Sequence, residues 1–175
     1  HNMSVQLVQF HDAGTYNHSR ATWRVKCPLS ISVQILRHRS GSYNQVSGRY
    51  KTIRQELFDT PEDCRDIAVK MGENLDKYMG SAEACIARYL QFMRKAKISR
   101  DDKVISNDEY KRIREVARFI LPEGRMTELY ITYYLDDFYD NYLLLRDSKH
   151  AQTEHIWVSQ KMRSTLEEYR SKSEQ

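Results

Sequence analysis

The chain has 175 residues, room for one domain or two small ones. It carries 28 Lys and Arg against 24 Asp and Glu, a net charge of +4, with 40% hydrophobic residues, 12 Tyr and 5 Phe. Enough aromatic bulk for a packed core excludes a disordered chain. Only 6 Gly and 3 Pro exclude a collagen-like or low-complexity one.

No apolar run approaches the length of a membrane span, and the first residues lack the basic and apolar regions of a secretory leader. A cytoplasmic setting with no membrane partner is expected. His1-Asn2 ahead of Met3 reads as a cloning remnant, leaving residues 3–175 as a single domain. Cys27, Cys64 and Cys85 are odd in number, far apart and without a CxxC spacing, which argues against a disulfide framework or a metal site and for a reducing compartment. The sequence pI of 8.9 points toward anionic partners.

Along the chain, residues 3–10 alternate apolar with polar and predict a strand with one slip. Residues 11–19 read as a loop around Gly14, and 21–26 as a second strand carrying Trp23 and Val25. Pro28 suits the first turn of a short helix bearing Leu29, Ile31, Val33, Ile35 and Leu36. Residues 40–49, rich in Gly, Ser and Asn, predict an irregular loop. From Pro61 to Lys97 the period turns helical through Ile67, Met71, Leu75, Met79, Ala82, Ile86, Leu90 and Met93, with Gly72 and Gly80 as candidate breaks. Ser106 followed three residues later by Glu109 is a capping box and opens a helix that ends before Pro122. Two more helices are predicted over 126–146 and 150–170, so the class is α+β, a small antiparallel or mixed sheet with several long helices.

The segment from Arg37 to Arg49 carries the chemistry. It holds three Arg, one His, three Ser, Asn44 and Gln45 with no acidic residue. Guanidinium forks suit phosphate, neutral amides and hydroxyls suit a base or ribose, and Gly41 and Gly48 would let backbone approach a ligand. The same composition suits a solvated basic loop, or a nucleic-acid patch with Tyr43 and Tyr50 stacked on bases.

The order of residues is more specific. Arg37-His38-Arg39-x-x-Ser42-x-Asn44-x-x-Ser47-x-Arg49 resembles the signature of the flavin-dependent thymidylate synthases, the ThyX family. Further pieces lie in the family's order. Asn17-His18 and Thr22-Trp23 are similar to its Glu-His-x-x-Phe-Thr-Phe stretch, with Asn17 in place of the acid. Gln34 stands three residues before Arg37, and Arg114-x-x-Ala117-Arg118-x-x-Leu121-Pro122 follows downstream. Asn141-Tyr142-Leu143-x-Leu145-Arg146 then precedes His150-Ala151-Gln152-x-Glu154. Tyr134-Leu135-Asp136-Asp137 departs from the family's Asn-x-Arg-Ser.

The resemblance implies methylation of dUMP to dTMP with FAD, NADPH as reductant and 5,10-methylene-tetrahydrofolate as carbon donor, without an enzymic cysteine. It implies a homotetramer whose sites are shared between subunits and take small nucleotides and folate, with no nucleic-acid partner. Arg146 would be catalytic. Gln34, Arg37, Gln45, Val46, Ser47, Gly48, Arg49, Arg118 and Arg146 would bind dUMP. Arg37, His38, Arg39, Gln45, Asn141 and His18 would hold the cofactor, and no metal is implied. His11 and His155 read as structural. A relative that methylates UMP or hydroxymethylates dUMP, or a flavin-less nucleotide- or RNA-binding module, are the alternatives.

Overall fold

A computed structural model describes residues 1–46 and 56–173, which divide into two compact units. One comprises Asn2–Val46 and Thr127–Gln175, the other His1 and Ser47–Met126.

The first unit is a sheet with helices. Strand β1 (Ser4–His11) pairs antiparallel with β2 (Arg20–Pro28), and the register slips between Leu7 and Gln9 as the sequence implies. In β2, Ala21, Trp23, Val25 and Cys27 point into the core and the residues between them are half-exposed. The sheet order is β1-β2-β4-β3, with β3 at Ser42–Gln45 and β4 at Met126–Tyr134. Strand β4 (Met126–Tyr134) corrects the prediction of a helix there. Leu129, Ile131 and Tyr133 are buried while Tyr130 and Tyr134 are exposed, a period of two that favours a strand. Side-chain contacts Thr22–Thr132 (2.8 Å) and Arg24–Glu128 (2.8 Å) run in opposite order along β2 and β4.

Strand β3 (Ser42–Gln45) lies where an irregular loop is predicted. It pairs antiparallel with β4, Ser42 opposite Thr132 through Gln45 opposite Leu129. Ser and Asn are poor strand formers, and the open edge of β4 overrides that preference by offering backbone partners.

Helix α1 (Leu29–Leu36) follows β2 directly and buries Ile31, Ser32 and Ile35. After β4, a π-helical segment (Asp137–Leu143) runs into α5 (Leu144–Arg146), and α6 (Thr153–Ser173) closes the unit. His155, Val158, Met162 and Leu166 form the buried stripe of α6 at helical spacing. The Trp23 indole Nε1 donates to the Met162 carbonyl at 3.0 Å, fastening α6 to β2. Of the aromatic run over 130–142, Tyr133, Phe138 and Tyr142 supply core. Phe138 packs 4.7 Å from Trp23 and 5.9 Å from Tyr142, ring centre to centre.

The second unit is helical: α2 (Glu62–Lys70), α3 (Leu75–Asp101) and α4 (Asn107–Ala117), tightening to a 3₁₀ turn at Arg118–Ile120. Of the two candidate breaks only Gly72 acts as one, at φ 75°, between α2 and α3; Gly80 continues the helix. The predicted stripe serves as core only in its later part. Ile86 and Met93 are buried with Tyr89, Ala96, Ala117 and Leu121, whereas Ile67 and Met71 are exposed and Ala68 is the buried residue of α2. The capping box forms in full. Glu109 N–H donates to Ser106 Oγ at 3.2 Å, and Ser106 N–H to Glu109 Oε2 at 2.8 Å. No described helix is long and apolar enough to cross a membrane.

Ser106→Ala should cost about 1 kcal/mol by removing one half of the cap. Phe138→Ala should cost about 3–5 kcal/mol by opening a cavity among large rings. Urea titrations followed by circular dichroism measure both, and equal losses would contradict this assignment of core and surface.

Candidate active site

The end of α1 delivers the basic motif to the sheet unit. Arg37 is the helix C-cap, and the His38 N–H donates to the Ile35 carbonyl at 3.1 Å. Backbone alternation then exposes Arg37 and Arg39 and buries the ring of His38 between them.

His38 lies edge-on to Tyr142 at 5.0 Å, and its Nε2 accepts a 2.6 Å hydrogen bond from Arg146 Nε. A guanidinium only donates, so His38 is the tautomer protonated at Nδ1. Burial first, then the charge of Arg146, push the His38 pKa below its ordinary value. Arg146 is thus anchored through Nε. Its Nη groups have no hydrogen-bond partner among the described residues, so the outer edge of the fork is free to meet an anion or an electron-rich ring.

Below this pair runs a chain of hydrogen bonds. Tyr142 Oη lies 3.1 Å from His155 Nε2, and His155 Nδ1 lies 3.2 Å from Gln34 Oε1. Gln34 Nε2 donates to Gln152 Oε1 at 2.7 Å, and Gln152 Nε2 to Glu154 Oε2 at 2.8 Å. Burial, with Arg146 and His38 nearby, pushes the His155 pKa down to about 3. Burial alone leads the causes that raise Tyr142.

Gly41 does not face open space for a ligand. A Cβ there would lie 2.6 Å from Tyr43 Oη and 2.7 Å from Tyr133 Cε1, so glycine is required to admit those rings. Tyr43 Oη donates to the His38 carbonyl and sits 2.8 Å from Tyr133 Oη, so this tyrosine braces the motif from inside rather than standing free to stack on a base.

The remaining residues of the motif and its companions are placed separately. Gln45 Nε2 donates to Ser32 Oγ (3.0 Å) and Thr127 Oγ1 (3.3 Å). Val46 is exposed and its N–H donates to the Glu128 carbonyl at 3.0 Å. Ser47, Gly48 and Arg49 lie outside the described residues, as does Tyr50. His18 is exposed in the β1–β2 connection, and no hydrogen bond or ring contact among the described residues links it to the Gln34–Arg146 cluster. Asn141, exposed in the π-helical segment, donates to Asp137 Oδ1 at 3.0 Å. The departure at Asp136-Asp137 thus has a local use: Asp136 caps the segment at Asp137 N–H (2.9 Å), and Asp137 holds Asn141.

Arg118 belongs to the helical unit, where its Nε is buried without a hydrogen-bond partner among the described residues. Its charge and, above all, burial lower the Arg125 pKa. Arg114 lies over the Tyr110 ring at 5.7 Å, while Asp108 pairs with Lys111 at 2.9 Å. Cys27 is buried and its thiol is pushed up to about 12, so it is no thiolate at neutral pH. Among the described residues no three His, Cys, Asp or Glu side chains come together as metal ligands.

Sequence reading did not assign Tyr142, Gln152, Glu154 or His155 to the site. The His150-Ala151-Gln152-x-Glu154 block signals two of them, and only packing brings His155 to Gln34.

The pH response follows from the histidines. Both are held neutral in the fold and charge more readily when unfolded, so the unfolded chain binds more protons below the ordinary histidine pKa of about 6.5. Stability is therefore present above about pH 6.5 and falls as pH drops toward 3, at up to about 1.4 kcal/mol per pH unit from His155. Urea midpoints at pH 7 and pH 5 measure the slope, and His155→Phe should flatten it.

A family model described as thymidylate synthase complementing protein (Thy1) matches residues 3–169. Among curated relatives, the flavin-dependent thymidylate synthase of Tropheryma whipplei strain TW08/27 is 27% identical over 132 residues, covering 72% of this chain and 52% of the relative. The flavin-dependent thymidylate synthase of Aquifex aeolicus is 32% identical over 134 residues, covering 76% and 41%. The chain spans about half the length of the curated relatives it matches. Among solved structures, a UMP/dUMP methylase from Streptomyces cacaoi bound with 5-Br dUMP superposes with a TM-score of 0.70 at 18% identity, over 94% of this chain and 90% of that one. The α+β arrangement is that of this fold, and with a family model covering nearly all of its length the chain belongs to the Thy1, or ThyX, family.

Proposed function

We propose that this chain methylates C5 of dUMP to give dTMP, with FAD, NADPH as reductant and 5,10-methylene-tetrahydrofolate as carbon donor. The observation that carries this reading is the Arg146–His38 pair, a guanidinium held through Nε whose Nη groups have no hydrogen-bond partner among the described residues. C5 of uracil attacks a carbon electrophile only if charge can build on N3 and the ring oxygens. A preorganised cation at that edge stabilises the charge without an enzymic cysteine. Cys27, buried and held as the thiol, is suited to packing instead.

The residues present suit a flavin dinucleotide. Arg37 and Arg39 are exposed on either side of buried His38, and paired guanidinium forks match a pyrophosphate. Asn141 adds an exposed amide. Bound FAD would supply the hydride that completes the methyl group. In this reading Gln34, Arg37, Gln45, Val46, Ser47, Gly48, Arg49 and Arg118 hold dUMP, with Arg49 and Arg118 on its phosphate. Arg37, His38, Arg39, Gln45, Asn141 and His18 hold the cofactor. Residues 3–175 act as one functional domain within a homotetramer whose sites are completed between subunits.

A second reading is methylation of UMP, favoured by the fold shared with a UMP/dUMP methylase. The two nucleotides differ at the 2′-hydroxyl, so one assay separates them. Purified protein should be yellow, and with NADPH and methylene-tetrahydrofolate should convert dUMP to dTMP, identified by mass. A methylated product from UMP alone would transfer the activity to the second reading, and a flavin-free protein that binds RNA with a steep salt dependence would overturn both.

Arg146→Ala should lower turnover by about a hundredfold or more while leaving the flavin bound, in keeping with the loss of one electrostatic stabiliser. Single-turnover flavin oxidation with dUMP measures this, and turnover retained within a few-fold would remove Arg146 from the role.

A further inference from the structure

The hydrogen-bond chain beneath Arg146 has a direction, and one carboxylate sets it. Glu154 as a carboxylate can only accept, so Gln152 must turn its amide nitrogen toward Glu154, as seen at 2.8 Å. That leaves Gln152 Oε1 facing Gln34, which must present its own nitrogen there, at 2.7 Å. Gln34 Oε1 then faces His155, which must donate from Nδ1, at 3.2 Å. The Nε2 of a neutral His155 is left as an acceptor, and Tyr142 Oη, 3.1 Å away, donates to it. A proton on Nε2 would deprive the Tyr142 hydroxyl of its acceptor, in a place where both side chains are fully buried.

An amide without such a chain can rotate by half a turn at little cost, because its oxygen and nitrogen ends have the same shape. Here each alternative orientation opposes two like groups. Gln34 itself is only half-buried, so its remaining N–H is available to a ligand. It sits in the last turn of α1, three residues before the C-cap Arg37, which His38 follows directly.

We propose that His155 is a positioning residue: together with Gln152 and Glu154 it locks the Gln34 amide in one orientation, so that Gln34 offers a pyrimidine nucleotide a hydrogen-bond donor and so prefers a ring carbonyl to a ring amino group. The substrate side of this rests on the function proposed above. The lock itself rests only on the free protein's geometry.

The test has two arms. In the first, the Gln34 side-chain amide is followed by ¹⁵N NMR of ligand-free protein, its signal assigned with Gln34→Ala. Wild type should show two well-separated amide proton signals. His155→Phe should bring them together toward the values of a solvent-exposed amide, and His155→Asn, whose amide can donate as Nδ1–H does, should restore the separation. In the second arm, dUMP binding to the flavin-loaded protein is titrated by the change in flavin absorbance. His155→Phe and Glu154→Gln should each weaken dUMP about fivefold to tenfold and lower the preference for dUMP over dCMP by a similar factor, with flavin retained. His155→Asn should recover most of both. Should His155→Phe fail to fold, Glu154→Gln and His155→Asn carry the comparison.

Unchanged affinity and preference in Glu154→Gln and His155→Phe would overturn the inference, as would an amide signal that does not respond. If wild type binds no pyrimidine nucleotide while the amide signal still responds, the proposed function fails and His155 is reduced to a structural lock, so the substrate role is overturned as well.

Discussion

The sheet unit is organised around one part-buried contact, the hydrogen bond from Arg146 Nε to His38 Nε2. It joins two places far apart in sequence, the end of α1 and the end of the helical stretch after β4. It also requires that His38 stay neutral and in one tautomer. An imidazolium there would face a guanidinium, two cations in one part-buried site, so the contact and the neutrality sustain each other. A side chain as mobile as arginine is held in place because its partner is itself held by ring packing and by Tyr43 on its carbonyl.

Everything that supports this contact is aromatic or amide, and little of it is charged. Tyr142 meets His38 edge-on, Phe138 and Tyr133 pack against Tyr142, and Trp23 ties the same cluster to α6 through the Met162 carbonyl. Rings provide large buried area with few rotatable bonds, which suits a platform that must fix direction. The π-helical segment from Asp137 to Leu143 sits between β4 and Arg146. Its wider turn buries Phe138, Tyr142 and Leu143 while leaving Asn141 outside, a division that a regular helix would space differently. Asp136 and Asp137 secure that segment locally, so the acidic residues that break the family pattern have a structural employment of their own.

Arg118, whose Nε is buried without a hydrogen-bond partner among the described residues, lies in the helical unit. Gln45 already gives its amide protons to Ser32 and Thr127, which leaves its carbonyl oxygen as the group it would offer.

Local pattern alone determined the first two strands, the helix opened by Pro28, the capping box at Ser106 and the basic motif, because each depends on neighbours within a few residues. It also determined the family, since the motif pieces are ordered side chains and need no geometry. Tertiary structure decided the rest. Residues 126–134 fall in a stretch read as one helix through residue 146, yet their Tyr and Thr suit a strand, and pairing with β2 and β3 makes them β4. Ser42 to Gln45 become a strand only because an edge is there to receive them. Gly41 serves Tyr43 and Tyr133, not a ligand, which no spacing could reveal. His155 looks like any core histidine in the sequence. Only the fold shows that its Nδ1 meets Gln34, a residue 121 positions away, and no local rule reaches across that distance.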